Sequence, residues 1–214
     1  MNFLVVLKDQ VINRSTFLYV QLNKGKTLLH FSPEFHLEGQ TLGEIYQSEG
    51  LTALLLFFNR ELDLPVKDYL ELSLTSWDQA VTELFPNGLI IKENGQLIQL
   101  TVSELQRQMR YKIERQQKIL KSFLSEIGKK RHLLKTTQLL KKYPDLVHTS
   151  IQLTQFLTLI RRFVRLKEVP SRKLTLPLAD TFRVVQRAQE KKVIVIDFMK
   201  NRNALHQLTM EKAN

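Results

Sequence analysis

The sequence predicts an α/β fold: a single domain, residues 1–214, built on a mixed central sheet with helices on both of its faces. Three observations predict it. Runs of strand length and runs of helical spacing are interspersed along all 214 residues. No linker divides the chain, and no internal repeat or low-complexity tract interrupts it. A chain of this length also buries a sizeable core without covalent staples.

The elements follow in order. Residues 3–7 form an apolar run of strand length and 17–22 a second; Asn23, Lys24 and Gly25 then make a turn before a third run at 27–31. Ser32 and Pro33 punctuate. Helical spacing occupies 42–46 and 51–62, interrupted at Gly50 and stopped near Pro65. Residues 69–74 alternate as a strand, and Ser76 is the expected N-cap of a short helix reaching Phe85. The turn at Pro86, Asn87 and Gly88 leads to strands at 89–92 and 97–102, separated by Glu93, Asn94 and Gly95. Ser103 is expected to cap a long helix to Ile127, where Gly128 terminates it. Helices at 130–143 and 150–167 are ended by Pro144 and Pro170. A strand at 173–176, a helix at 179–189, a strand at 192–197 and a helix at 199–212 close the chain.

Composition excludes several classes. At 43% hydrophobic and 25% charged residues, neither wholesale disorder nor a collagen-like repeat is tenable. The longest purely apolar run, 53–58, is too short to cross a bilayer, which takes about 20 residues. No charged segment followed by an apolar stretch opens the chain, so no signal peptide is visible. The absence of cysteine removes disulfides, thiol nucleophiles and Cys-ligated zinc.

The formal charge of +11 points to an anionic partner. It is concentrated: residues 106–173 hold 18 Lys and Arg against four acids. Arg107, Arg110, Lys112, Arg115, Lys118 and Lys121 recur at spacings of two or three along one expected helix. At about 100° per residue, all but Lys112 fall on one side of it. Such a stripe is a solvated basic face or an anion site. The five histidines lack metal-ligand spacing, and neither a Gly-rich phosphate loop nor a nucleophile elbow around Ser32 is present. Apolar residues such as Leu54, Phe58, Ile151 and Phe163 read as core.

The segment Arg115, Gln116, Gln117, Lys118, Ile119, Leu120 resembles the Arg-Gln-Gln helix of the LytR-CpsA-Psr family, bacterial enzymes of cell-wall assembly. Other stretches are similar in family order: residues 3–9 ending in an aspartate, 13–23, 31–34, 65–77, Asn87 with Gly88, and 193–206. The resemblance implies transfer of a glycopolymer from a polyprenyl-pyrophosphate carrier to peptidoglycan. It also implies an apolar tunnel for the lipid, arginines on the pyrophosphate, and magnesium held by aspartates. Guanidinium forks and a divalent ion neutralise charge on the leaving group.

Position by position, the resemblance makes Asp9 the first metal ligand and Arg115 with Gln116 the Arg-Gln pair. The second aspartate falls on Ser15, and its accompanying arginine falls on Asn13, beside Arg14. Glu34 stands where an arginine would meet phosphate, a family aspartate falls on Met109, and the arginine after it on Lys112. Arg107 and Arg110 are the candidates to replace the paired arginines of the preceding loop. The expected site therefore has Arg110 and Arg115 in catalytic positions and Arg14, Arg107, Lys112 and Gln116 on the ligand. Asp9 is left as a lone carboxylate for Mg2+.

This implies a degenerate member that binds a polyprenyl-linked phosphate, with a cell-wall glycopolymer as further partner and weak or absent transferase activity. Its expected location is the extracytoplasmic face of a bacterial membrane if an N-terminal anchor has been removed, and the cytoplasm otherwise. The alternative is a basic nucleic-acid-binding or regulatory module. Against nucleic acid stand the missing helix-turn-helix signature and the few aromatics among the basic residues.

Overall fold

The computed structural model describes residues 2–22, 26–36, 40–111, 113–127, 138, 141–152, 155, 158, 171–186 and 192–210. In chain order the strands and helices are β1 (Asn2–Asp9), β2 (Arg14–Leu22), β3 (Lys26–Phe31), α1 (Leu42–Arg60), β4 (Asp68–Ser73) and α2 (Leu74–Leu84). They continue with β5 (Leu89–Glu93), β6 (Gln96–Leu100), α3 (Val102–Tyr111), α4 (Ile113–Ile127) and β7 (Val147–Thr149). Last come β8 (Ser171–Leu176), β9 (Phe182–Gln186), β10 (Lys192–Ile196) and α5 (Phe198–Met210). Six strands form one sheet in the order β7-β4-β1-β2-β3-β8, while β5 with β6 and β9 with β10 form two-stranded ribbons. β2 and β3 run antiparallel, as do β4 and β7, whereas β3 and β8 run parallel. The sheet is mixed, as the sequence predicts.

Contacts cluster the chain into two compact units. The first comprises Met1–Val6, Arg14–Tyr69 and Val169–Asn214. Its core is set by strand alternation: Leu4 and Val6, Phe17 and Tyr19, Leu29 and Phe31 share one sheet face. Onto them α1 lays Leu42, Tyr46, Leu54 and Phe58. Phe31 meets Phe58 edge-on at 5.0 Å, and Phe17 meets Tyr46 at 5.8 Å. Each such side chain stabilises the fold by about 1.5–3 kcal/mol through burial. α1 starts in a capping box: the Thr41 hydroxyl accepts from the Glu44 N–H, and the Glu44 carboxylate accepts from the Thr41 N–H. The expected interruption at Gly50 is present, with φ 81°.

On β3, His30 lies between Leu29 and Phe31 and so faces away from that core. It is 1% exposed, and neither ring nitrogen has a hydrogen-bond partner among the described residues. Burial, helped by the charge of Arg14, holds its pKa down at about 4.

The second unit comprises Leu7–Asn13 and Leu70–Glu168. Trp77, Ala80, Val81 and Leu84 recur at helical spacing and form the buried face of α2. The Trp77 ring lies 4.4 Å from that of Phe123 on α4, which Phe85 also meets edge-on at 5.6 Å. The β5–β6 ribbon adds Leu89, Ile91 and Leu100 to the buried set.

Three sequence expectations are corrected. Ser76 does not cap α2: Ser73 does, its hydroxyl accepting the Ser76 N–H, so the helix starts earlier. Ser103 does not cap α3: Thr101 does, accepting from the Glu104 N–H while the Glu104 carboxylate accepts from the Thr101 N–H. The helix expected at 103–127 is described as α3 to Tyr111 and α4 from Ile113, residue 112 lying outside the described residues. The helix expected at 179–189 is instead strand β9, paired antiparallel with β10 from Phe182 with Ile196 to Gln186 with Lys192. Phe182, Val184 and Val185 suit a strand, and the ladder supplies the partners that local helical spacing does not anticipate. A short strand, β7, was not expected at all. The helices expected at 130–143 and 150–167 lie mostly outside the described residues, as do 187–189.

Two outcomes follow for stability. Gly88 and Gly95 both have left-handed backbone, φ 82° and 83°, but a Cβ on Gly88 would sit 2.0 Å from the Leu100 carbonyl oxygen while one on Gly95 meets open space. Gly95→Ala should cost only the conformational penalty of about 1–2 kcal/mol. Gly88→Ala should cost clearly more, and equal urea midpoints for the two variants would contradict the turn geometry. His30 gives a pH signature. Because its folded pKa lies below its ordinary 6.5, the unfolded chain binds the proton first. Stability should be complete above pH 6.5 and fall as pH drops toward about 4, by up to about 3 kcal/mol. His30→Leu should flatten that slope in urea unfolding measured across the window.

Candidate functional site

Five of the seven predicted site residues lie in the second unit within the described residues, on β1, α3 and α4. Asp9 ends β1 and is 4% exposed. Its Oδ1 accepts the N–H of Val11 at 3.0 Å and of Ile12 at 3.4 Å, shaping the turn that leaves the strand. Its Oδ2 lies 3.1 Å from Nε of Arg110 on α3. The same guanidinium places Nη2 2.5 Å from Oδ2 of Asp78 on α2, and Nη1 donates to the Gln106 carbonyl at 3.4 Å. The Arg110 side chain is 12% exposed. The hydrogen bond to Asp78, then the charges of Asp78 and Asp9, hold its pKa above the ordinary arginine value against the cost of burial. Sequence reasoning placed Asp9 and Arg110 in one site, and they are in direct contact. It missed Asp78, which closes the cluster from a distant stretch of chain.

Arg115 and Gln116 lie in the first turn of α4 and reach back to α3. Gln116 is 3% exposed, and its Nε2 donates to the Met109 carbonyl at 2.7 Å. Arg115 donates from Nη1 to Gln108 Oε1 on α3 at 3.0 Å. Its Nη2 lies 2.8 Å from Oε2 of Glu93 at the end of β5, and Lys118 Nζ lies 2.6 Å from the other oxygen. The Lys118 hydrogen bond first, and the Arg115 charge with it, hold Glu93 below the usual carboxylate range. Glu93 and Gln108 were also missed. A glutamate read as part of a turn carries no local signal of its two cationic partners.

The remaining residues are placed differently. Arg107 is exposed on α3. Arg14 belongs to the first unit, where Nη2 lies 2.8 Å from Oε1 of Glu34, and the Ser32 hydroxyl donates to the other oxygen. The acid standing at the expected arginine position thus engages the arginine nearest to it. Lys112 lies outside the described residues.

Beside Asp9 in the chain, Lys8 and Gln10 line a polar cavity of about 340 Å3 together with Ser73, Thr75, Ser76 and His148. Glu71 also borders it, 3.7 Å from Lys8 Nζ and 3.6 Å from His148 Nδ1. Asp145 lines it too, so the hydroxyls at the start of α2, Lys8 and His148 share the cavity with two carboxylates.

The magnesium ion that the resemblance implies does not fit the residues present. One oxygen of Asp9 is turned to two backbone N–H groups and the other to Arg110, and the second expected ligand is Ser15. Among the described residues no group of three or more His, Asp or Glu is arranged to hold a metal.

No family model matches the sequence, and no curated protein matches it. Solved structures do. The chain is similar to the Lin1025 protein of Listeria innocua, with a TM-score of 0.74 at 12% identity, covering 100% of this chain and 99% of that one. It is similar to Bacillus subtilis TagV, with a TM-score of 0.67 at 16% identity over 96% of each chain. It is also similar to TagT bound to LI-WTA, with a TM-score of 0.69 at 15% identity, covering 98% of this chain and 90% of that one. These structural neighbours are LytR-CpsA-Psr proteins, and theirs is the fold of this chain.

Proposed function

We propose that this protein works in bacterial cell-wall glycopolymer assembly by binding a polyprenyl-linked phosphate, with little or no transferase activity of its own. The observation that carries the reading is the fold shared, over nearly its whole length, with TagT, which is bound to LI-WTA in a solved structure. A ligand of that kind joins an anionic headgroup to a long apolar chain. The cavity bordered by Lys8, Ser73, Thr75, Ser76 and His148, with Glu71 and Asp145 also on its wall, is our candidate for the headgroup. The place of action we propose is the outer face of the membrane, where such lipids present their polymers. No described helix is long and apolar enough to cross a membrane.

The weak-transferase half of the reading is supported by the cations themselves. Transfer requires positive charge free to stabilise a leaving phosphate. Arg110 is engaged by Asp9 and Asp78, Arg115 by Glu93, and Arg14 by Glu34. A guanidinium already neutralised by carboxylate has less to offer a second anion.

Native mass spectrometry of the protein purified from a bacterium tests the binding half. The expected spectrum shows a fraction carrying a polyprenyl phosphate that organic extraction removes; preparations that never retain one, and take up none when it is added, would defeat the reading. In a transfer assay with lipid-linked glycopolymer and peptidoglycan, turnover should stay near the uncatalysed background. Robust turnover would leave binding intact but refute the inactive assignment.

A further inference from the structure

We propose that Arg110 is the resident cation of the Asp9–Asp78 pair: it stands where a divalent ion would bridge the two carboxylates, so the chain carries a latent metal site closed by its own side chain. The inference rests on the contacts within the second unit and not on the identity of any lipid.

Two carboxylates from separate elements approach one guanidinium through different nitrogens, Nε at 3.1 Å and Nη2 at 2.5 Å. Their side chains are 3% and 24% exposed, so water does little to screen them. Two like charges held that close in a poorly solvated place need a cation between them. Hard carboxylate oxygens would accept a small divalent ion there as readily as an arginine. The oxygens not satisfied by hydrogen bonds point the same way. Asp78 Oδ1 and Asp9 Oδ2 are both buried with no hydrogen-bond partner among the described residues, Asp9 Oδ2 having only the ion-pair contact. The oxygens that would face a metal once the guanidinium is gone are those it now contacts, Asp9 Oδ2 and Asp78 Oδ2. Arg110 is in turn set in place by α3, whose carbonyl at Gln106 receives its third nitrogen. The consequence for binding is that no added metal is required at this position: the positive charge is supplied covalently.

The only tryptophan in the chain makes the test direct. Trp77 is buried one residue before Asp78, so a terbium ion bound to this pair can be excited through the indole. The wild-type protein should show no Trp-sensitised terbium emission, and neither Mg2+ nor chelator should move its melting temperature. Arg110→Met should gain that emission. Mg2+ or Ca2+ should compete it away, and a second substitution, Asp9→Asn, should abolish it. If Arg110→Met does not fold alone, recovery of its native circular dichroism on refolding with millimolar Mg2+ supports the same conclusion, and no recovery counts against it. The proposal is overturned if wild-type protein itself binds terbium or Mg2+ in a way that Asp9→Asn removes. It is equally overturned if folded Arg110→Met shows no sensitised emission.

Discussion

One guanidinium held between two carboxylates organises the chemistry-bearing part of the molecule. Arg110 contacts Asp9 at the end of β1 and Asp78 on α2, and thereby ties three elements of the second unit through one planar group. Asp9 passes the constraint on, since its other oxygen orders the turn at Val11 and Ile12. Little water reaches the group, so the pairing is not the marginal kind found on surfaces. Removing one member of a buried ion network of this sort leaves uncompensated charge, which costs about 3–5 kcal/mol. The same contact that stabilises the unit neutralises its arginine.

The basic middle of the chain shows the same principle at larger scale. A concentration of cations invites the inference of an anionic partner, yet the sequence cannot show which charges are spent internally. Arg115 and Lys118 share Glu93, and Lys142 lies 2.5 Å from Glu83. Each acid comes from a stretch that is not basic. The charge that remains for a ligand is smaller than the composition suggests. At the cavity beside Asp9 the same holds, with Glu71 close to both Lys8 and His148.

The strands were legible because burial writes a plain pattern: in β1 through β3 the residues facing α1 alternate, and their apolar runs are the right length. Gly50 announced its own break. What misled was finer. Ser73 and Thr101 outcompeted the serines nearer the apolar runs because caps are chosen by which hydroxyl reaches an exposed N–H, a matter of backbone path. β9 was read as helix because a strand pair is a non-local choice. The expected site residues Asp9, Arg115 and Gln116 have partners that the sequence does not show. Gln116 donates to the Met109 carbonyl and Arg115 to the Gln108 side chain, contacts seven residues apart that no residue type advertised. Asp78 was invisible for the same reason, its partner Arg110 lying far along the chain.

The central claim is that a covalent cation occupies the acidic pair. The most direct measurement is a crystal structure of the whole chain grown in manganese, with anomalous data collected at the metal edge. The account predicts continuous guanidinium density between the Asp9 and Asp78 carboxylates and no anomalous peak there. A manganese peak bridging the two aspartates, with Arg110 swung away toward solvent or a ligand, would contradict it.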